Sequence, residues 1–413
     1  MEKIRQITKD IMNYIKPFVK WLVLAALMGT IGGVLGAYFH KCLELVTETR
    51  ENNKWLIYLL PLAGVVITAI YRLFRKTGKL STNGVIDAAV GDEKVPLILA
   101  PLVFVGTIIT HLFGGSAGRE GAALQLGGSI GYNIGKLFRL QKSDRHIIVM
   151  AGMSSFFSAM FGAPLTAAVF ALEVIRVGYI RHCAFLPCVV SSVVAQNIAT
   201  AIGAHGVSFN VATPVFTTEI FIKVIILALL CAGVSILFCI AIKQASILLY
   251  KLTNNEYLRS ISGAVIVVTL TVVLGTTDYN GAGMNVIARA MEGTAVPLAF
   301  LAKIIFTAIT IAAGFKGGEI VPTLFIGATF GCVAGGLLGL DAGFAASIGF
   351  VALFCGVVNC PFASAALALE VFGADGILIY AVAIAVSFMM SGNFSLYKSQ
   401  KIMFSKTTDE QME

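Results

Sequence analysis

Within the run Gly114 to Gly131, GGSAGREGAALQLGGSIG, an arginine and a glutamate stand side by side in very apolar surroundings. Ionisable side chains at membrane depth are expensive and persist mainly on ion or proton pathways, so Arg119 and Glu120 mark the first place to look for chemistry. Gly114, Gly115, Gly118 and Gly121 remove side chains from the backbone just ahead of an apolar helix. The free N–H groups of such a helix start, with the positive end of its dipole, form an anion site, and transporters use broken helices in this way near the bilayer midplane. The competing reading is a close helix-packing stretch, because small residues let membrane helices approach. Glu120 would share the N–H groups that attract an anion. Ionised, it occupies the anion position; protonated, it leaves, so one residue gates the anion and carries a proton. The alternative is a fixed Arg119–Glu120 ion pair, which neighbours on a helix are badly placed to make.

Glu319, in GFKGGEIVPTLFIGA, is a second candidate, either a proton partner or anion-site wall, or a plain helix cap before Pro322. Glu173 and Glu370 occupy one place in two similar segments, which favours an architectural role. Tyr397 offers a neutral phenol donor to a partly dehydrated anion, or serves as an interfacial aromatic anchor.

The elements that must position these residues are those of a membrane protein. Of 413 residues, 57% are hydrophobic and 13% charged, and mean hydropathy is +0.88. A soluble domain carries roughly 25% charged residues, so this chain cannot cover a water-facing surface of its length. Continuous apolar runs of about 20 residues suit helices across a hydrocarbon core and argue against a β-barrel. The expected fold is an all-α polytopic bundle, and segments too short to span alone predict tilted and broken helices.

The opening residues suggest an amphipathic helix on the membrane surface, with Ile4, Ile7, Ile11 and Ile15 on one side. Lys3, Arg5, Lys9, Lys16 and Lys20 place it in the cytoplasm, as do Arg72, Arg75, Lys76 and Lys79, and later Lys136, Arg139, Lys142 and Arg145. The net charge of +8 thus reflects topology, not nucleic-acid binding. Eight cysteines without a C-x-x-C and five scattered histidines give no metal or cofactor site. No G-x-S-x-G elbow or phosphate-binding loop is present, so the chain reads as a transporter and not an enzyme.

The sequence repeats itself. A shift of 200 (314 − 114) pairs Thr107 with Thr307, Thr110 with Thr310, Gly114 with Gly314, Gly118 with Gly318 and Gly127 with Gly327. A shift of 197 (361 − 164) lays GAPLTAAVFALE over NCPFASAALALE, matching Pro164 to Pro361 and Glu173 to Glu370. Interrupted segments at matching places point to a substrate site between two halves, commonly inverted in the membrane. The expected organisation is a surface helix over 1–20, a first repeat over 21–202, a linker over 203–218, a second repeat over 219–398 and a short cytoplasmic tail over 399–413.

Together these stretches resemble the CLC family of anion channels and anion/proton antiporters over nearly the whole chain. GGSAGREGAALQLGG is similar to the family's GREGP signature with Ala122 in place of proline, FGAPLTAAVFALEV to the following helix, GGEIVPTLFIGA to the G-x-F-x-P region, and LYKSQ to the terminal tyrosine region. The resemblance implies a CLC-type fold of two inverted repeats, a homodimer with one pore per subunit, Glu120 as the external gating glutamate and Tyr397 as the central anion ligand. It places Asn83, Gly84, Val85, Gly121, Ala122, Ile320 and Val321 around the anion.

Chloride members carry GSGIP where this chain reads TNGVID, which sets Asn83 over the serine, with Thr82 there after a one-residue slip. Val174 stands where proton-coupled chloride exchangers have an internal glutamate. GREG without a following proline, and GGE-x-x-P with Glu319, resemble the fluoride/proton antiporter branch, although that branch often has Met at the Asn83 position and a hydroxyl residue at the Val321 position. An asparagine amide offers two N–H donors to a small, strongly hydrated anion. The expectation is a proton-coupled fluoride exporter of the plasma or inner membrane, with a chloride channel or chloride/proton exchanger as the alternative in the same family and a non-transporting sensor outside it. The resemblance also implies no nucleotide-sensing module, because the tail after Tyr397 is short.

Overall fold

The structure, a computed structural model, describes residues 2–74, 81–91, 93–408 and 410–412, without the side chains of 2–11. Sixteen α-helices lie among the described residues. The first is α1 (Glu2–Asn52), a single 51-residue helix. A break between a surface helix over 1–20 and a membrane run is therefore not observed, because the helical hydrogen bonding continues through Pro17, where proline removes one donor but leaves the rest of the ladder. Ile4, Ile7, Ile11, Lys3, Arg5 and Lys9 lie in the stretch whose side chains are not described, and Arg75, Lys76 and Lys79 lie outside the described residues.

The order continues with α2 (Leu60–Leu73), α3 (Thr82–Val90), α4 (Leu99–Leu112), α5 (Glu120–Leu137), α6 (Lys142–Phe161), α7 (Pro164–Glu173) and α8 (Phe185–Ile202). After an extended stretch come α9 (Thr218–Leu252), α10 (Glu256–Leu274), α11 (Met284–Met291), α12 (Ala299–Ala312), α13 (Ile320–Leu337), α14 (Ala342–Val358), α15 (Pro361–Phe372) and α16 (Ile377–Met390). Each helix of the first eight has a counterpart in the second eight. The pairs α4 with α12 and α5 with α13 obey the shift of 200 at both ends. Six helical segments are long and apolar enough to cross a membrane, and six shorter apolar helices accompany them. The chain is a multi-pass membrane protein.

Packing inside each half depends on bare backbone. A side chain at Gly127 would strike the Gly152 carbonyl, joining α5 to α6, and one at Gly327 would strike the Gly349 carbonyl, joining α13 to α14. Such approaches are how membrane helices gain van der Waals contact where lipid supplies no hydrophobic drive.

The halves meet with opposite polarity. Glu173, at the end of α7, accepts from the backbone N–H of Phe362 (3.2 Å) and Ala363 (2.8 Å) at the start of α15. Glu370 of α15 returns the arrangement, accepting from Leu165 (2.7 Å) and Thr166 (2.8 Å) at the start of α7. Two helices whose late glutamates cap each other's first turns run antiparallel, as inversion requires, and each carboxylate meets the positive end of a dipole. The architectural reading of both residues thus holds. A two-stranded parallel pair, β1 (Arg176–Val177) with β2 (Lys401–Ile402), ties the tail to the first half.

Candidate functional site

The starts of α5 and α13 are built by one device. Gly118 and Gly318 exchange backbone hydrogen bonds, N–H to O at 2.6 and 2.7 Å, as an isolated antiparallel bridge. Around it, the Ser116 N–H donates to Thr310 Oγ1 (3.1 Å) and the Lys316 N–H to Thr110 Oγ1 (3.2 Å), again related by 200. Bare backbone is required where Gly318 meets Gly121. A side chain at Gly318 would collide with the Gly121 N–H, and one at Gly121 would meet the Gly318 Cα at 2.7 Å.

Arg119 occupies the N-cap of α5, with φ −112° and ψ −22°. Glu120, fully buried, folds its carboxylate back over the cap: Oε2 accepts from the Arg119 N–H at 3.1 Å, and Oε1 lies 3.4 Å from the Arg119 Nε. The expectation that adjacent residues on a helix cannot pair is corrected here, because Arg119 stands at the boundary and not inside the helix. The ion pair and the cap coexist, and Glu120 sits at the helix start that would draw an anion.

Glu319 takes the corresponding N-cap place on α13, matching Arg119 in register, with Ile320 over Glu120. The Glu319 side chain makes no capping bond; its carbonyl accepts the first helical hydrogen bond, from the Thr323 N–H, and also the Thr323 hydroxyl. Its Oε2 lies 3.6 Å from where a Gly121 side chain would begin. Glu120 and Glu319 thus stand at the starts of α5 and α13, each within two residues of the Gly118–Gly318 bridge. Pro322, in the first turn of α13, packs on Gly118.

Gly84, Val85, Gly121, Ala122, Ile320 and Val321 are buried, and Val85 packs against Gly128 of α5. Ser81 caps α3 by accepting from the Gly84 N–H (3.3 Å), so Thr82 is the first helical residue and Asn83 the second. The Asn83 side-chain oxygen accepts from the Ser399 N–H at 3.1 Å.

Tyr397 is 3% exposed, and its hydroxyl has no hydrogen-bond partner among the described residues. Both Glu120 and Glu319 lie within electrostatic reach of that oxygen. Burial excludes the interfacial-anchor reading, and an orphaned buried hydroxyl needs an explanation that a bound ligand would supply. The turn that presents Tyr397 is fixed by Gln400, whose amide donates to the carbonyls of Val174 (3.0 Å) and Val358 (2.7 Å). Val174 is itself buried, so no carboxylate stands at that place.

Beside Arg119 opens a cleft of about 810 Å³ between the end of α1, the 205–207 stretch and the 277–286 loop. Several charged groups around it have a clear sequence signal that the reading above missed. Lys303 interrupts the apolar run AFLAKIIFTAITIA and is fully buried, donating to the carbonyls of Tyr279 (3.1 Å) and Gly281 (2.7 Å) with its ammonium 5.0 Å from the Phe325 ring centre. No carboxylate pairs with it among the described residues. Arg50 donates to the His111 carbonyl at 3.1 Å and packs on Gly281, whose φ is +59°.

Comparison with known proteins agrees with this geometry. The family described as voltage gated chloride channel matches residues 64–392. A chloride/fluoride channel protein of Pseudomonas syringae pv. tomato is 35% identical over 405 residues, 96% of this chain and 89% of that one. An H(+)/Cl(−) exchange transporter ClcA of Vibrio cholerae is 27% identical, covering 84% of this chain and 81% of its own. Among solved structures, a CLC-type fluoride/proton antiporter superposes with a TM-score of 0.90 at 30% identity, covering 93% of this chain and 98% of that one. A slow cyanobacterial Cl−/H+ antiporter shares the fold, with a TM-score of 0.79 at 19% identity over 90% of this chain and 94% of its own. With its family model matched over residues 64–392, this chain belongs to the voltage gated chloride channel family.

Proposed function

We propose that the protein exports fluoride in exchange for protons across the plasma or inner membrane, working as a homodimer with one pathway per subunit. The observation that carries the reading is the joining of two helix starts by the Gly118–Gly318 bridge, with Glu120 and Glu319 each within two residues of it and within electrostatic reach of an unpartnered Tyr397 hydroxyl. Glu120 alternates between this pocket and the cleft: ionised it caps α5, and protonated it gives way to an anion. Glu319 supplies a second proton-accepting group beside the same bridge, in a chain that has Val174 where an internal glutamate would otherwise serve. Asn83, Gly84 and Val85 at the α3 start, Gly121 and Ala122 on α5, Ile320 and Val321 on α13, and Tyr397 form the anion's surroundings.

Fluoride is small and strongly hydrated, so its site must replace water with good donors; the Asn83 amide, helix-start N–H groups and a phenol fit that need. The similarity at 30% identity to a fluoride/proton antiporter supports the same choice. Purified protein in liposomes tests it. Fluoride loaded inside should leave while protons enter, in fixed proportion. Chloride flux without proton movement would replace the reading by a channel, and no flux of either anion would leave a non-transporting protein.

A further inference from the structure

We infer that His40 and Glu44 form a proton relay on the wall of the cleft, holding a proton and passing it to Glu120; the inference rests on the exchange reading above. His40 is 2% exposed on α1. Its Nδ1 lies 3.3 Å from the Met160 carbonyl of α6, and its Nε2 lies 2.9 Å from Glu44 Oε1, one turn further along α1. A carbonyl can only accept, so Nδ1 carries a hydrogen. With that tautomer fixed, the Nε2–Glu44 contact is a hydrogen bond only if one more proton is present, either on the imidazole or on the carboxyl. The two side chains therefore share a single exchangeable proton.

Their positions suit delivery. The Glu44 side chain is 60% exposed and lines the cleft with His40, so the proton can be drawn from solution. Arg119 lines the same cleft within electrostatic reach of His40, and its guanidinium touches Glu120. The other charged groups facing this place are His111 of α4, His205 of the stretch before α9, Asp278 of the loop before α11, and Glu48, Arg50 and Glu51 of α1; Lys54 closes the rim. From α6 only the Met160 carbonyl faces the ring. In the transfer, the N–H or O–H bond of the pair breaks, an O–H bond forms on Glu120, and the pair takes a new proton from the cleft.

The test uses the full-length protein in fluoride-loaded liposomes, with proton uptake and fluoride efflux followed as outside pH is varied across the range in which histidine titrates, about 5 to 8. Glu44→Gln, at an exposed position, tests the relay without threatening the fold, and His40→Gln tests the buried partner. A positioned proton donor speeds transfer by on the order of 100-fold or more. With bulk water as a slower parallel route, proton uptake in both variants should fall on the order of tenfold at the alkaline end and match the parent at the acid end, with fluoride binding by calorimetry unchanged. Variant profiles that overlay a proton-coupled parent would overturn the relay alone. A parent that moves fluoride without protons would overturn the exchange reading and the relay with it.

Discussion

Gly118 and Gly318, 200 residues apart, donate their backbone N–H groups to each other's carbonyls at 2.6 and 2.7 Å. This reciprocal bridge joins the starts of α5 and α13, and it sets Glu120 and Glu319 each within two residues of the junction. The Ser116–Thr310 and Lys316–Thr110 bonds flank it and hold the same two stretches.

The bridge leaves no room for a methyl group. Gly318→Ala would push a Cβ into the Gly121 N–H, which is backbone and cannot rotate away. Overpacking of this kind costs about 1–3 kcal/mol. Thermal unfolding in detergent should show the loss, and transport should fall further than stability, because the Glu120 cap moves with Gly121. An alanine variant with wild-type flux would mean that the crossing does not set the site.

Glu173 and Glu370 cap each other's helices, so Glu173→Gln and Glu370→Gln should have similar effects. Each replaces charge-assisted bonds to helix N–H groups by neutral ones, at a cost of about 1–2 kcal/mol. Denaturation midpoints of the two single variants should agree, with fluoride selectivity untouched. A change in proton coupling in either one would give that residue a role in the pathway.

Lys303 makes hydrogen bonds to the Tyr279 and Gly281 carbonyls, in the loop whose neighbouring residues line the cleft. Lys303→Met removes both, leaving two buried acceptors short of a donor at about 1–3 kcal/mol. The protein should be less stable, and fluoride affinity measured by calorimetry should drop. Unchanged affinity in a folded variant would confine Lys303 to structure.

At the α3 start, Asn83→Leu keeps the size of the side chain but deletes its N–H donors. One lost hydrogen bond to a charged ligand is worth about 1.5 kcal/mol or more, so fluoride binding should weaken on the order of tenfold while chloride binding, less demanding of donors, changes little. Equal losses for both anions would remove Asn83 from selectivity.

Much of this was legible in the residues. The repeat placed Gly118 over Gly318 and Glu173 over Glu370 before any coordinates, because inverted halves use the same backbone solutions and leave the same small residues behind. Arg119 was misread: a neighbour rule for helices fails at an N-cap, where the backbone has not yet entered the helix. The continuity of α1 from Glu2 to Asn52 was not foreseen, since nothing in the local pattern distinguishes a helix that stops at Lys20 from one that runs on to Asn52. Lys303 and the His40–Glu44 pair went unseen for different reasons. The lysine was visible as a lone cation in an apolar run, whereas the pair acquires meaning only from the cleft, which arises from the packing of α1 against two distant loops.

The account turns on Glu120 alternating between anion and acid at the head of α5. Simultaneous recording of fluoride efflux and proton uptake by Glu120→Gln in liposomes tests this most directly. A side chain that cannot ionise should abolish proton movement and either stop fluoride flux or leave it uncoupled; fluoride and proton fluxes still locked in the parent's ratio would contradict it.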